Sequence, residues 1–190
     1  MKTKSIILNI LFALIFSVIT SSAQTVWGFG AGHSNICFAI QWNEYSFRTG
    51  EFKDFSGKIE SPDSTNFNDS KVTLTIKNSG IDVINNGLNH MLMGAEYLDS
   101  LNCPEITFTC DKMKKTKKNK YKAEGILTVK CKPVKSTFLV EYTGMKGKNA
   151  YMKVTGTLYK KDFGITGGGD RLGDIINITA FLELNKPKKQ

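Results

Sequence analysis

The sequence predicts an all-β fold with a minor helical part: an eight-stranded antiparallel up-and-down β-barrel with a short helical insertion. Apolar and polar side chains alternate along several runs, as in 72–76, 106–110 and 176–182, and this period of two is typical of a strand with one buried face. Turn signals rich in Gly, Pro and Asp separate the runs. Helical spacing is confined to one segment.

Eight runs carry the strand pattern, which is a number of strands that closes a small barrel. Leu88, Met91, Leu92 and Ala95 follow a helical period instead, so one or two short helices are expected within 85–101, over or beside an open end of the barrel. The predicted strands lie near 33–42, 47–60, 70–79, 105–111, 119–130, 134–144, 150–161 and 173–184.

The first 23 residues have the pattern of a secretory signal peptide. Two lysines precede an apolar run from Ile6 to Ile19, and the small residues Ser21 and Ala23 suit a signal peptidase. The apolar run is shorter than the ~20 residues of a spanning helix. We therefore expect a cleaved signal peptide at 1–23, one barrel domain at 24–190 and a periplasmic or secreted product; an uncleaved anchor is the alternative.

Positive charge is concentrated in one short segment of this chain, whose formal net charge is +9. Seven lysines fall within 112–122. Such a run either contacts an anionic membrane surface or a phosphorylated ligand, or forms a solvated hairpin tip. Nucleic-acid binding is not expected, because no recognised motif or aromatic interleaving accompanies the lysines.

The four cysteines lack the spacing of a zinc site. If 104–110 is a strand, Cys103 and Cys110 lie about 23 Å apart at ~3.3 Å per residue, which is beyond disulfide range. Any disulfide must therefore join other pairs. Cys37 and Cys110 lie within apolar strand patterns and are expected to be buried free thiols.

A closed meander of strands can enclose an apolar ligand. We expect the inward side chains to line a cavity that binds one; the alternative is that they pack against each other and fill the interior. The candidate ligand-binding residues are Ile36, Phe38, Phe52, Phe55, Leu74, Ile76, His90, Met91, Leu92, Ile106, Phe108, Leu127, Phe138, Val140, Leu158, Phe163 and Ile178.

No catalytic or metal-binding motif is visible, so the chain is not expected to be an enzyme or to need a cofactor other than a bound lipid. The alternative is a metal-dependent or stress-related enzyme using His33 or His90. Arg171 could meet a diphosphate bidentately, although its neighbours Gly167–Gly169 are more typical of a flexible surface loop. The sequence is also compatible with a homodimer.

Taken together, a series of short motifs resembles the YceI-like family of exported, lipocalin-like isoprenoid-binding proteins. No single motif is diagnostic, but their order and spacing cover nearly the whole chain after the signal peptide. They are His33-Ser34, Gly50 to Ile59, Asn89-His90-Met91-Leu92, Tyr97-Leu98-Asp99, Pro104 to Phe108, Gly125 to Val129, Lys132-Pro133-Val134, Lys161 to Ile165 and Leu172 to Ile178.

The resemblance implies an extended eight-stranded barrel whose interior holds a polyisoprenoid chain, such as a prenyl diphosphate or an isoprenoid quinone. Three positions depart from the family pattern. Lys161 replaces the arginine that commonly precedes Asp-Phe-Gly, Cys131 stands where glycine is more usual, and Cys103 replaces an aromatic residue before the proline. These departures leave the fold intact and put head-group recognition in question.

Overall fold

Antiparallel β-strands make up most of the protein. The computed structural model describes residues 24–43 and 45–186, and the predicted signal peptide at 1–23 lies outside them. In the described part the strands are β1 (Thr25–Gly30), β2 (Asn35–Asn43), β3 (Ser46–Phe52), β4 (Phe55–Ser61), β5 (Lys71–Lys77), β6 (Ile81–Asp82), β7 (Glu105–Cys110), β8 (Lys114–Lys117), β9 (Lys120–Val129), β10 (Lys132–Lys146), β11 (Asn149–Tyr159) and β12 (Ile175–Leu184). Helix α1 (Asn86–Leu92) precedes β7, and 3-10 turns span Asn78–Gly80, Lys160–Phe163 and Gly169–Arg171.

The twelve segments join end to end into eight bent strands. β1 pairs with β4 and β2 with β3, both antiparallel, and the register shifts by two residues between the two ladders. β5 and β6 pair with the other sides of β4 and β3, and β7 and β8 both pair with β9. β12 closes the sheet by pairing with β2. Beyond that ladder, the backbone N–H groups of Gly28 and Asn185 donate to each other's carbonyls at 2.8 and 2.9 Å. The predicted fold class, a nearly all-β antiparallel barrel with a short helix, is confirmed, with twelve hydrogen-bonded segments in place of eight uninterrupted strands.

Several predicted boundaries were wrong. The first strand begins at Thr25 rather than near 33, because β1 and β2 are two halves of one strand interrupted by a turn. The predicted strand 47–60 is broken at Lys53 and Asp54, where the chain bends between β3 and β4. The helical insertion 85–101 contains one short helix followed by turns, and Asp99 within them has a positive φ of 52°.

One end of the barrel is closed by an aromatic cluster. Phe67, on the loop between β4 and β5, is fully buried and lies 6.1 Å from the Trp27 ring, 6.2 Å from Tyr121 and 5.4 Å from Tyr142. The Tyr121 hydroxyl also accepts a hydrogen bond from the Phe67 N–H at 3.4 Å. These rings cover this end, whereas the exposed residues that line the interior, Phe47, Ile84 and Met91, lie at the opposite end.

A disulfide joins Cys103 to Cys131, with their Cα atoms 5.5 Å apart. It ties the segment before β7 to the two-residue turn between β9 and β10. Lys130 and Cys131 both have positive φ in that turn, as a type I′ hairpin requires, which explains why glycine suits position 131. Cys37 and Cys110 are free thiols; Cys110 is buried as predicted, whereas Cys37 is only half-buried. Burial raises the pKa of both.

Candidate ligand-binding cavity

The barrel encloses a cavity of about 600 Å³, which is within the ~300–1,000 Å³ range of small-molecule sites. Its walls are the inward faces of the strands. Along β9 the lining runs from Ala123 to Val129, about 20 Å at ~3.3 Å per residue. The predicted cavity is therefore present, and the alternative of a fully packed interior is wrong.

Most of the predicted ligand-binding residues line this cavity. Phe55 is buried on the same inward face of β4 as Ile59, but it is not among the residues that line the cavity. His90 is exposed on α1; it follows Leu88 by two residues and so points away from it, since each helical residue turns about 100°. The predicted residues that do line the cavity are Ile36, Phe38, Phe52, Leu74, Ile76, Met91, Leu92, Ile106, Phe108, Leu127, Phe138, Val140, Leu158, Phe163 and Ile178.

Glycines in the wall keep the cavity open. Phe138 on β10 is paired with Gly156 on β11, and a Cβ at Gly156 would lie 2.4 Å from the Phe138 ring. Phe29 and Gly57 repeat this arrangement between β1 and β4, with a corresponding distance of 2.2 Å. Each ring lies over the neighbouring strand's backbone where a side chain would otherwise stand. The phenylalanines therefore cover the wall without filling the barrel axis.

The mouth of the cavity is formed partly by the segment 83–85. Asp82 accepts a hydrogen bond from the Ile84 N–H at 2.8 Å, and Asn89 of α1 accepts one from the Val83 N–H at 2.8 Å. The Asn89 amide also donates to the Asp82 carboxylate at 3.4 Å. The hydrogen bond from Ile84, followed by that from Asn89, lowers the pKa of Asp82. Together these hydrogen bonds hold Ile84 at a φ of 58°, with its side chain 97 % exposed.

The loop between β11 and β12 forms another part of the mouth. A flexible surface loop was predicted here, but at Gly167 the backbone is held in place by hydrogen bonds and packing. The N–H groups of Thr166 and Gly167 donate to the Glu96 carbonyl at 2.9 and 3.0 Å. Gly167 is buried, and a Cβ there would lie 2.2 Å from the Tyr97 ring. Close packing therefore requires glycine at this position. Arg171 is exposed on the same loop and does not line the cavity.

Several cavity residues near the mouth were missing from the predicted set, among them Trp42, Arg48 and Lys160. Alternation along the strands was the signal that would have found them. On β3 the inward positions run from Phe52 through Gly50 to Arg48. Beyond Leu158, the inward series of β11 continues into Lys160, the first residue of the following 3-10 turn.

Within the described ranges, the histidines do not form a site with other ligating groups. His33 is exposed in the turn between β1 and β2, and His90 is exposed on α1. Among the described residues, no group of three or more His, Cys, Asp or Glu side chains is arranged to hold a metal ion.

The lysine-rich segment lies at the closed end of the barrel. β8 and the start of β9 form its hairpin, and the side chains from Lys114 to Lys120 are exposed. Lys112 pairs with Asp69 at 3.0 Å and Lys122 with Glu124 at 2.7 Å. No helix in the described ranges combines the length and hydropathy needed to cross a bilayer.

The fold and the cavity define a small antiparallel β-barrel that is plugged at one end and encloses an apolar chamber. The YceI-like domain model matches residues 27–184, and the chain belongs to the YceI family. Protein YceI of Salmonella newport (strain SL254) is 33% identical over 141 residues, covering 70% of this chain and 72% of that protein.

Solved structures share the fold. BcnA of Burkholderia cenocepacia superimposes with a TM-score of 0.73 at 21% identity, covering 79% of this chain and 95% of BcnA. The YceI protein of Campylobacter jejuni gives 0.67 at 25% identity, covering 76% and 88%. A polyisoprenoid binding domain from Saccharophagus degradans gives 0.62 at 10% identity, covering 86% and 99%.

Proposed function

We propose that this protein binds an isoprenoid lipid inside the barrel and carries or sequesters it, without catalysing a reaction on it. The observation that carries the proposal is the apolar cavity of about 600 Å³, plugged at one end and lined mainly by aliphatic and aromatic side chains. A hydrocarbon chain gains ~25 cal/mol for each Å² buried there, less the entropy lost on ordering it. The binding property named for the Saccharophagus degradans domain supports an isoprenoid among such chains.

The proposed setting is the periplasm or the exterior of the cell, after removal of residues 1–23. An exported carrier fits the disulfide between Cys103 and Cys131, because disulfides form and persist in oxidising compartments. The proposed ligand-binding residues are those of the predicted set that line the cavity, together with Trp42, Arg48 and Lys160.

Filling the cavity tests this function. Ala123 is buried on the inward face of β9, and its neighbour Glu124 is exposed on the outer face. We expect Ala123→Phe to occupy cavity space and weaken geranylgeraniol binding at least tenfold, measured by displacement of a fluorescent fatty acid. Glu124→Phe adds the same side chain outside and should bind as the parent does.

Thermal unfolding of both variants checks that the fold survives, since overpacking costs about 1–3 kcal/mol where no space exists. A folded Ala123→Phe protein with undiminished affinity would place the ligand outside the barrel and contradict the proposal.

A further inference from the structure

Large apolar side chains project into solvent at the mouth of the cavity. Phe47 on β3, Ile84 before α1 and Met91 on α1 all line the cavity, and all three are exposed. Tyr45, in the turn between β2 and β3, is exposed as well. Clusters of exposed apolar side chains mark surfaces that contact a protein or a membrane. This cluster is continuous with the interior of the barrel, because three of its members belong to the cavity wall.

The backbone of Ile84 is held in a conformation that isoleucine rarely adopts. Its φ of 58° lies in the left-handed region, which is unfavourable for a β-branched residue and easier for asparagine or glycine. The Ile84 N–H donates to Asp82, and the Val83 N–H donates to Asn89, which maintains this conformation. The side chain is almost fully exposed, so burial within the protein does not offset the cost. Burial against a partner would offset it.

Cations lie beside the apolar side chains. The charged residues of the cavity wall are Arg48, whose guanidinium lies 4.9 Å from the centre of the Trp42 ring, and Lys160. Arg171 is exposed on the neighbouring β11–β12 loop. In the described part of the chain, no Asp or Glu side chain lines the cavity. Apolar side chains flanked by tryptophan, arginine and lysine are typical of a surface that lies at a membrane interface, where acyl chains meet the phosphates of the head groups.

We propose that the mouth of the barrel docks on a lipid bilayer, with Phe47 and Ile84 inserted among the acyl chains and the neighbouring cations at the level of the lipid phosphates. A hydrocarbon chain then passes between the bilayer and the cavity without exposing its surface to water, which would be unfavourable. The inference rests on the proposed function for this purpose, whereas docking itself is measured without an added ligand. The docking surface is distinct from the lysine-rich segment, which lies at the plugged end.

Vesicle binding tests the docking surface. The probe is phosphatidylcholine vesicles, and the protein is the processed chain from Gln24 onward, because the apolar run at 6–19 would bind a bilayer by itself. We expect the parent to sediment with the vesicles, and to do so at high salt as well, because salt screens charges and not apolar insertion. The variant Phe47→Ser/Ile84→Asn should bind at least tenfold more weakly.

Two choices separate lost contact from lost structure. Asparagine adopts a positive φ more readily than isoleucine, so Ile84→Asn removes the apolar side chain and keeps the backbone. Leu139→Ser is the matched control: Leu139 is 58 % exposed on the outer face of β10, close to the 61 % of Phe47, and this variant should bind vesicles as the parent does. Thermal unfolding checks that each variant is folded.

The two tryptophans report which end of the barrel is inserted. Trp42 lies at the mouth, and Trp27 lies in the plug at the other end. Brominated phosphatidylcholine should quench the fluorescence of the parent protein, and this quenching should disappear in Trp42→Phe. Quenching that survives in Trp42→Phe would place the plugged end at the membrane and overturn the proposal.

Three further results would overturn docking and leave the carrier function intact. They are a parent protein that binds geranylgeraniol and no vesicles, a folded Phe47→Ser/Ile84→Asn protein that binds vesicles as the parent does, and a parent that forms a dimer in solution which Ile84→Asn dissociates. The last result would show that a second copy covers the apolar side chains. Vesicle binding by a parent protein that takes up no geranylgeraniol would instead overturn the carrier function and leave the docking surface.

Discussion

Phe138 and Gly156 show how a barrel rich in phenylalanine keeps an open interior. The ring occupies the place where a side chain at position 156 would stand, and aromatic cover of a strand glycine is a recognised device for stabilising curved sheets. The cavity therefore depends on glycine at particular wall positions as much as on the apolar residues that line it.

Gly156→Ala tests this dependence. The new Cβ would lie 2.4 Å from the Phe138 ring, so the ring must move towards the axis. We expect a loss of about 1–3 kcal/mol in the free energy of unfolding together with weaker geranylgeraniol binding. Thr157→Ala, at an exposed neighbour on the outer face, should change the free energy of unfolding by no more than about 0.5 kcal/mol. A Gly156→Ala protein with parental stability and affinity would show that the ring is free to move elsewhere.

Arg48 and Lys160 extend the same residue-level reasoning to charge. Both occupy positions that strand alternation assigns to the interior, and only their chemical type suggested solvent. At the mouth Arg48 is exposed and Lys160 is half-buried, so an inward position at the end of a strand can carry a charge that stays in contact with water.

The helical insertion and the segment before it form a separate structural unit at the mouth. Asp82 and Asn89 fix the backbone of Val83 and Ile84 through direct hydrogen bonds, and α1 begins immediately afterwards. Asn89 was identified in the sequence only as part of a family motif next to His90. Its function in the structure is to connect the helix to the rim of the cavity, which the exposed His90 does not do.

The hydrogen bonds that Asp82 makes with Ile84 and Asn89 should weaken in acid. The pKa of Asp82 is lowered in the folded state by the hydrogen bonds from Ile84 and Asn89. The stabilisation is therefore present above the unfolded pKa of ~3.9 and is lost as the pH falls through the lowered folded value. We expect the amide of Ile84 to lose protection from hydrogen exchange on acidification before the barrel unfolds.

In Asp82→Asn the carboxylate is absent at every pH, so the Ile84 amide should exchange faster near neutral pH and show no acid step of its own. Protection of Ile84 that follows global unfolding in both proteins would contradict the assignment. Mass spectrometry of peptic fragments spanning residues 81–92 gives the readout, with β10 as the internal reference.

The barrel fold was largely predictable from the sequence. Period-two alternation identified the regions of all eight strands, because a sheet with one buried face imposes that pattern on each strand. It missed β1, where Gly28 and Gly30 interrupt the apolar pattern. It also missed the bend at Lys53–Asp54. The bend does not separate the strands, because the Lys53 N–H donates to the Gly80 carbonyl and the Lys77 N–H donates to the Asp54 carbonyl.

The details of the two ends were not predictable in the same way. The plug around Phe67 depends on a loop folding across the barrel, and loop conformation carries no periodic signal. The disulfide partner of Cys103 also depended on tertiary structure, since Cys131 lies 28 residues away along the chain. Spacing along one strand excluded Cys110 as that partner and could not select among the others.

The two ends of the barrel differ in access and in charge. The cavity opens at the end that carries α1 and the β11–β12 loop, whereas the lysine-rich hairpin lies at the plugged end. Contact between this hairpin and an anionic surface stays a prediction of the sequence. Such contact would orient the mouth away from that surface.

Identification of the bound molecule tests the account most directly. The protein is purified from its own host without detergent, its mass is measured under native conditions, and the same sample is extracted with organic solvent. We expect a mass above that of the polypeptide alone, and an extracted lipid whose fragments are spaced by isoprene units. A polypeptide that carries no lipid and also takes up no added geranylgeraniol or geranylgeranyl diphosphate would contradict the account.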